Sequence, residues 1–133
     1  YFKNNRLVSR TLDHSVPQML VASGEIREKD IRHHEDRNRL LRVMGIPWRK
    51  KTYEIAPPIP FDENQAFLLC SDGFWEYIEA AFLARSATPR QWLERMEQEV
   101  QKNGIGKNMD NYSAVGLFTG GTRQPKKWFE FWK

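Results

Sequence analysis

Ala66-Phe67-Leu68-Leu69-Cys70-Ser71-Asp72-Gly73-Phe74-Trp75-Glu76-Tyr77-Ile78 decides how the chain is read. Residues 66–70 are an unbroken apolar run of strand length, which predicts a central strand covered on both faces. The run stops at Ser71-Asp72-Gly73, three residues at home in a turn. From residue 74 to 85 the pattern becomes helical, with Trp75, Ile78 and Phe82 on one buried face. An acidic residue therefore stands where a buried strand ends and a helix begins.

C-terminal to this segment the signals stay strong. Thr88 with Gln91 three residues on forms a capping box, and Pro89 takes the first helical position. Trp92, Leu93, Met96 and Val100 line the apolar stripe of that helix, and Asn103-Gly104 is its expected stop. After a loop to Asp110-Asn111, residues 112–118 read as a final strand ended by Gly120-Gly121. N-terminal to the segment, residues 1–11 read as a hairpin turning at Asn4-Asn5. Ser15 caps a short helix that Gly24 ends, and residues 25–39 form a charged helical or flap-like stretch. Residues 39–45 fit a strand or a helix end equally. Pro47 with residues 49–51 makes a loop, and residues 52–55 alternate like a half-buried strand before Pro57, Pro58 and Pro60. The class is α+β.

Composition bounds the function. The chain has 133 residues, 40% hydrophobic and 29% charged, as in soluble globular domains. Its net charge of +4 is modest, and acids alternate with bases, so nucleic acid is excluded as a partner. Cys70 is the one cysteine. It reads as a small hydrophobe of a reducing compartment, which points to the cytoplasm. There is no apolar run long enough to span a bilayer. The paired-histidine and paired-cysteine spacings of zinc sites are missing, as are a nucleophile elbow around Ser71 and a glycine-rich phosphate loop. The first residue is Tyr1 and not Met, so a truncated or processed chain is expected.

Two aspartates carry the chemistry in this reading. Asp72 ends one strand and Asp110 begins the last. If those strands are antiparallel neighbours, both carboxylates meet at one edge of the sheet. Like charges brought together repel unless a cation intervenes. Mg²⁺ and Mn²⁺ prefer carboxylate oxygens. Gly73 and Asn111 would complete the supporting loop, Gly73 by letting the backbone come close to a metal. Taken alone, Ser-Asp-Gly and Asp-Asn are also ordinary turn sequences.

Four segments, in order, resemble the metal-dependent protein serine/threonine phosphatases, the PPM or type 2C family. They are Leu12-Asp13-His14-Ser15; Gly24-Glu25-Ile26 followed by His34-Glu35-Asp36-Arg37-Asn38-Arg39-Leu40-Leu41-Arg42-Val43-Met44-Gly45; Phe67 through Ile78; and Asp110-Asn111-Tyr112-Ser113. Glu35 stands where the family has proline. The resemblance implies the C-terminal half of a four-layer αββα sandwich with two central antiparallel sheets. It implies a binuclear Mn²⁺ or Mg²⁺ centre with Asp72 and Asp110 as metal ligands, and a flap near residues 24–39. The family's N-terminal motifs, including its metal-bridging aspartate, are absent from this sequence.

The resemblance therefore implies a serine/threonine phosphatase acting on phosphoproteins, with residues 1–133 inactive alone for want of the N-terminal half of the domain. The alternative is a phosphatase-like interaction module without activity. Residues 1–119 are expected to be the catalytic half and residues 120–133 a linker and tail. In that tail Trp128, Phe129, Phe131 and Trp132 crowd between Lys126, Lys127 and Lys133, a composition suited to a membrane surface, a partner's groove or the domain itself. Sheet edges left open by the missing half make self-association an expectation.

Overall fold

Asn4 and Asn5 have φ of 50° and 63°, the paired left-handed backbone that a two-residue hairpin turn demands. Around them a computed structural model describes residues 1–47, 53–78 and 86–120. In chain order the elements are β1 (Phe2–Lys3), β2 (Arg6–Leu7), α1 (Val16–Ala22), a 3-10 helix (Glu28–His33), β3 (Gln65–Cys70), α2 (Asp72–Trp75), α3 (Pro89–Gly104) and β4 (Ala114–Phe118). They fall into two compact units. One joins residues 1–10 to the described residues from 60 onward, and the other is Thr11–Ile59.

The first unit is an antiparallel sheet of order β2-β1-β3-β4, with helices packed on one face. Phe2 pairs with Leu7 and with Ala66, and β3 pairs with β4 from Ala66↔Phe118 to Cys70↔Ala114. The core is built on α3. Trp92, Met96 and Val100, spaced four apart, are fully buried against Phe2, Ala66, Phe74 and Ile78. The Trp92 ring meets Phe2 edge-on at 5.4 Å and Phe118 at 5.4 Å, arrangements that aromatic quadrupoles favour. The Thr88 side chain accepts a hydrogen bond from the Gln91 amide at 3.2 Å, and Pro89 follows as expected. Gly104 lies inside the helix, where a side chain would overlap Met109. The left-handed residue beyond the helix is Gly106, at φ 74°.

Two expectations change here. β3 is central in the sheet, but it is not covered on both faces among the described residues. Leu69 is 64% exposed, and its neighbours across β4, Val115 and Leu117, are 63% and 56% exposed. The apolar run therefore reflects a second face that the described helices do not reach. The helix expected over residues 74–85 is only a short turn, Asp72–Trp75, among the described residues: it begins two residues earlier, residues 76–78 are not helical, and residues 79–85 lie outside the described residues. Backbone N–H groups of Phe74 and Trp75 both reach the Ser71 carbonyl, so the turn nucleates directly on the strand end. Phe74 enters the core with Ile78, and Trp75 is half-buried.

In the second unit Ser15 caps α1 by accepting from the Gln18 amide at 3.4 Å, and Gly24 follows the helix at φ 81°. The charged stretch contains the 3-10 helix, which buries Ile31. The Arg27 guanidinium beside Asp30, 3.0 Å away, holds that carboxyl below its usual value. The 39–45 stretch is strand-like only at Leu40, which bridges Ser15. The strand expected over residues 52–55 does not form. Thr52 is outside the described residues, and Tyr53, Glu54 and Ile55 are irregular, with Ile55 77% exposed. Alternation makes a strand only where a neighbouring strand and a face to bury exist, and the described residues supply neither. The loop over residues 49–51 also lies outside the described residues.

Candidate metal centre

The β3–β4 pairing continues past both strands, and this brings together the two segments that carry the aspartates. The Ser71 amide donates to the Ser113 carbonyl at 3.0 Å, and the Ser113 amide donates to Ser71 Oγ at 3.1 Å. Ser71 thus spends its hydroxyl on the neighbouring strand and makes no side-chain cap for α2. One step further, Gly73 lies directly against the backbone of Asp110 and Asn111. A Cβ on residue 73 would stand 2.6 Å from the Asn111 carbonyl oxygen. The missing side chain lets two chain segments touch, a closer constraint than the metal approach expected from sequence.

Each aspartate is two residues from an aromatic anchor. Phe74, after Asp72, is buried in the core, and Tyr112, after Asp110, packs against it. The two rings lie 6.1 Å apart. Tyr112 is further fixed to α3, its hydroxyl donating to Glu97 Oε1 at 3.4 Å and accepting from Gln101 at 3.3 Å. Both anchors belong to the same core, so the two loop ends are held as one piece.

Asp72 and Asp110 are themselves exposed. Asp72 Oδ1 accepts from the Gly73 amide at 2.9 Å, and Asp110 Oδ1 accepts from the Asn111 amide at 2.7 Å. One oxygen of each carboxylate is thereby oriented by its own backbone. The other has no hydrogen bond among the described residues. Two oriented carboxylates with open oxygens at one sheet end are donors suited to a hard divalent cation. Among the described residues no group of three or more His, Cys, Asp or Glu side chains gathers in a metal-binding cluster.

Other chemically able residues make contacts of their own. His14 is 3.7 Å from Glu54 in the second unit, where Arg42 also reaches Glu54 at 3.4 Å. His34 Nδ1 accepts from the Asp36 amide within a local turn. Cys70 is a half-buried cysteine packed against the core. The two anchors were missed from sequence. Their signal was the shared pattern Asp-x-aromatic at residues 72–74 and 110–112.

The chain is similar to known proteins. No protein-family model matches the chain. It is similar to the serine/threonine phosphatase stp of Listeria innocua, 32% identical over 114 residues, covering 85% of this chain and 44% of that protein. The serine/threonine phosphatase stp of Listeria welshimeri is 37% identical over 71 residues, 53% of this chain and 27% of that one. A solved bacterial serine phosphatase superimposes with a TM-score of 0.61 at 25% identity, covering 86% of this chain and 46% of that structure. The chain is a relative of the PPM-type serine/threonine phosphatases. It spans less than half the length of these phosphatases. No helix among the described residues is long and apolar enough to cross a membrane.

Proposed function

We propose that the protein is a metal-dependent serine/threonine phosphatase in which Asp72 and Asp110 hold Mn²⁺ or Mg²⁺. The observation that supports this reading is the contact of Gly73 with the backbone of Asp110 and Asn111 at one end of β3–β4. When bound, a divalent cation in such a site lowers the pKa of water and neutralises phosphoryl oxygens. The residues of this chain hold and orient. Gly73 and Asn111 fix one oxygen of each carboxylate through their amides. Phe74 and Tyr112 lock the two loop ends into the core, so the donors keep a constant separation. A phosphoserine or phosphothreonine on an extended peptide can approach because both carboxylates face solvent.

The exposed apolar face of β3 and β4 supports the larger architecture. Leu69 lies across from Val115, and Phe67 from Leu117. In a four-layer αββα sandwich this face would meet a second sheet, as expected for relatives more than twice the matched length. The further acidic ligands of a binuclear centre would then come from the other half of the domain. Asp72 and Asp110 alone are too few carboxylates for two ions.

The test is substitution of each aspartate in the full-length protein. Asp72→Asn and Asp110→Asn are each expected to lower kcat/KM for a phosphopeptide at least about a hundred-fold. Calorimetric titration should show weaker Mn²⁺ binding in both. Wild-type turnover in either variant at saturating Mn²⁺ would refute the assignment.

A further inference from the structure

Residues 53–64 are exposed without exception, and residues 53–62 belong to no helix or strand. Within them Ile55, Ile59 and Phe61 are 77%, 46% and 85% exposed. A contiguous apolar stretch left in water in this way marks a contact surface. Its centre is Ala56-Pro57-Pro58-Ile59-Pro60.

Covalent sterics set the shape of that centre. The pyrrolidine ring holds φ near about −65° at Pro57, Pro58 and Pro60. The Cδ of a proline pushes the residue before it into the extended or polyproline II region, which applies to Ala56, Pro57 and Ile59. Every residue from 56 to 60 is under at least one of these constraints. Together they specify a left-handed polyproline II helix, with three residues per turn and a rise of about 3.1 Å per residue. Ala56 therefore falls in line with Ile59, and Pro57 with Pro60, each about 9 Å apart along the axis. The two pairs form adjoining apolar ridges, and Pro58 takes the third edge. The segment is also tied at each end. The Glu54 carboxylate lies 3.4 Å from Arg42 and 3.7 Å from His14, and the Pro60 carbonyl accepts from the Nε2 of buried Gln65 at 2.8 Å. Much of the ordering cost of binding is thus met before a partner arrives.

The same residues decide how a partner can hold the segment. Strand addition to a sheet edge needs backbone N–H donors, which residues 57, 58 and 60 lack. A helix in a groove is ruled out by the same three prolines. What is left is the polyproline II mode, in which two apolar-proline pairs with one residue between them fill neighbouring pockets of an aromatic-lined groove. We infer that residues 56–60 are a preformed polyproline II ligand for the aromatic-lined groove of a partner's SH3-type domain.

The experiment titrates the full-length protein into a panel of purified SH3 domains whose groove rims range from acidic to basic, read by the fluorescence of the groove tryptophan. Wild type is expected to bind at least one member saturably and to be competed off by a proline-rich peptide. Pro57→Ala and Pro60→Ala each remove two methylenes from the bound face and should weaken binding about ten-fold. Pro58→Ala removes rigidity without removing contact and should weaken it less than about three-fold. All three positions are exposed, and calorimetric melting of each variant checks that the fold is intact. Binding to no member of the panel overturns the inference. So does binding that Pro57→Ala and Pro60→Ala leave unchanged, or that Pro58→Ala weakens as much as they do.

Discussion

Replacing Gly73 by alanine puts the proposed geometry under direct strain. The new Cβ would lie 2.6 Å from the Asn111 carbonyl oxygen and 3.3 Å from that of Asp110. Both obstacles are backbone, so no rotamer change relieves them. Ordinary contact begins near 3.4 Å, so residues 110–111 must retreat by about 0.8 Å. The paired Ser71 and Ser113 hydrogen bonds and the Phe74–Tyr112 contact oppose that movement. Overpacking of this kind costs about 1–3 kcal/mol, which for a domain of this size is a fall in Tm of about 4–12 °C. The shift also exceeds the ~0.5 Å tolerance of a preorganised site, so Mn²⁺ affinity in the full-length protein should fall about ten-fold or more. Calorimetric melting and Mn²⁺ titration measure the two effects. Gly116→Ala is the control, because its Cβ would meet only the side chains of Leu93 and Trp92, at 3.3 Å. If Gly73→Ala melts and binds Mn²⁺ as wild type does, the contact between the two loop ends is not what holds the aspartates.

Residues 1–133 alone are expected to turn over no phosphopeptide and to self-associate through the exposed β3–β4 face. Light scattering should show Leu69→Ser with Leu117→Ser reducing that association, and unchanged assembly would refute the role of the face. Thr88→Ala removes the hydroxyl that caps α3 and should destabilise the protein by about 1 kcal/mol in chemical denaturation. The Lys3 ammonium, 2.6 Å from Asp62 and hydrogen-bonded to it, holds that carboxyl below its usual value. A lowered folded-state value means the pair's contribution is complete above the unfolded carboxylate value and is lost as pH falls through the folded one. NMR titration should show Asp62 moving back toward the ordinary range in Lys3→Met, and an identical midpoint would refute the pairing.

The sequence was most informative where local chemistry and tertiary demand coincide. The Asn4-Asn5 turn, the Ser15 and Thr88 caps and the Trp92-Met96-Val100 stripe each depend on neighbours within a few residues, and all appear as read. The pairing of β3 with β4 was legible because an antiparallel register converts the end of one strand into the neighbour of the next strand's start. Periodicity could not show which layer covers Leu69, since a buried strand and a strand waiting for a second sheet look alike. It also could not reject the strand at residues 53–55, because whether Tyr53 and Ile55 find a surface to bury is settled by distant parts of the chain. Gly73 was read as a place of close approach, and what approaches it is the backbone of Asp110 and Asn111. A glycine announces close approach but not what approaches.

β1 and β3 are hydrogen-bonded neighbours, yet the whole of Thr11–Ile59 lies between Arg10 and the return of the chain at Pro60. That segment is an excursion tethered at both ends to adjacent places on one sheet. The entropy of closing such a loop grows only with the logarithm of its length, and doubling it costs about 0.6 kcal/mol. Lineages can therefore lengthen, shorten or rewrite the excursion almost freely. The two aspartates, on α2 and in the loop before β4, lie outside the excursion and would be left in place.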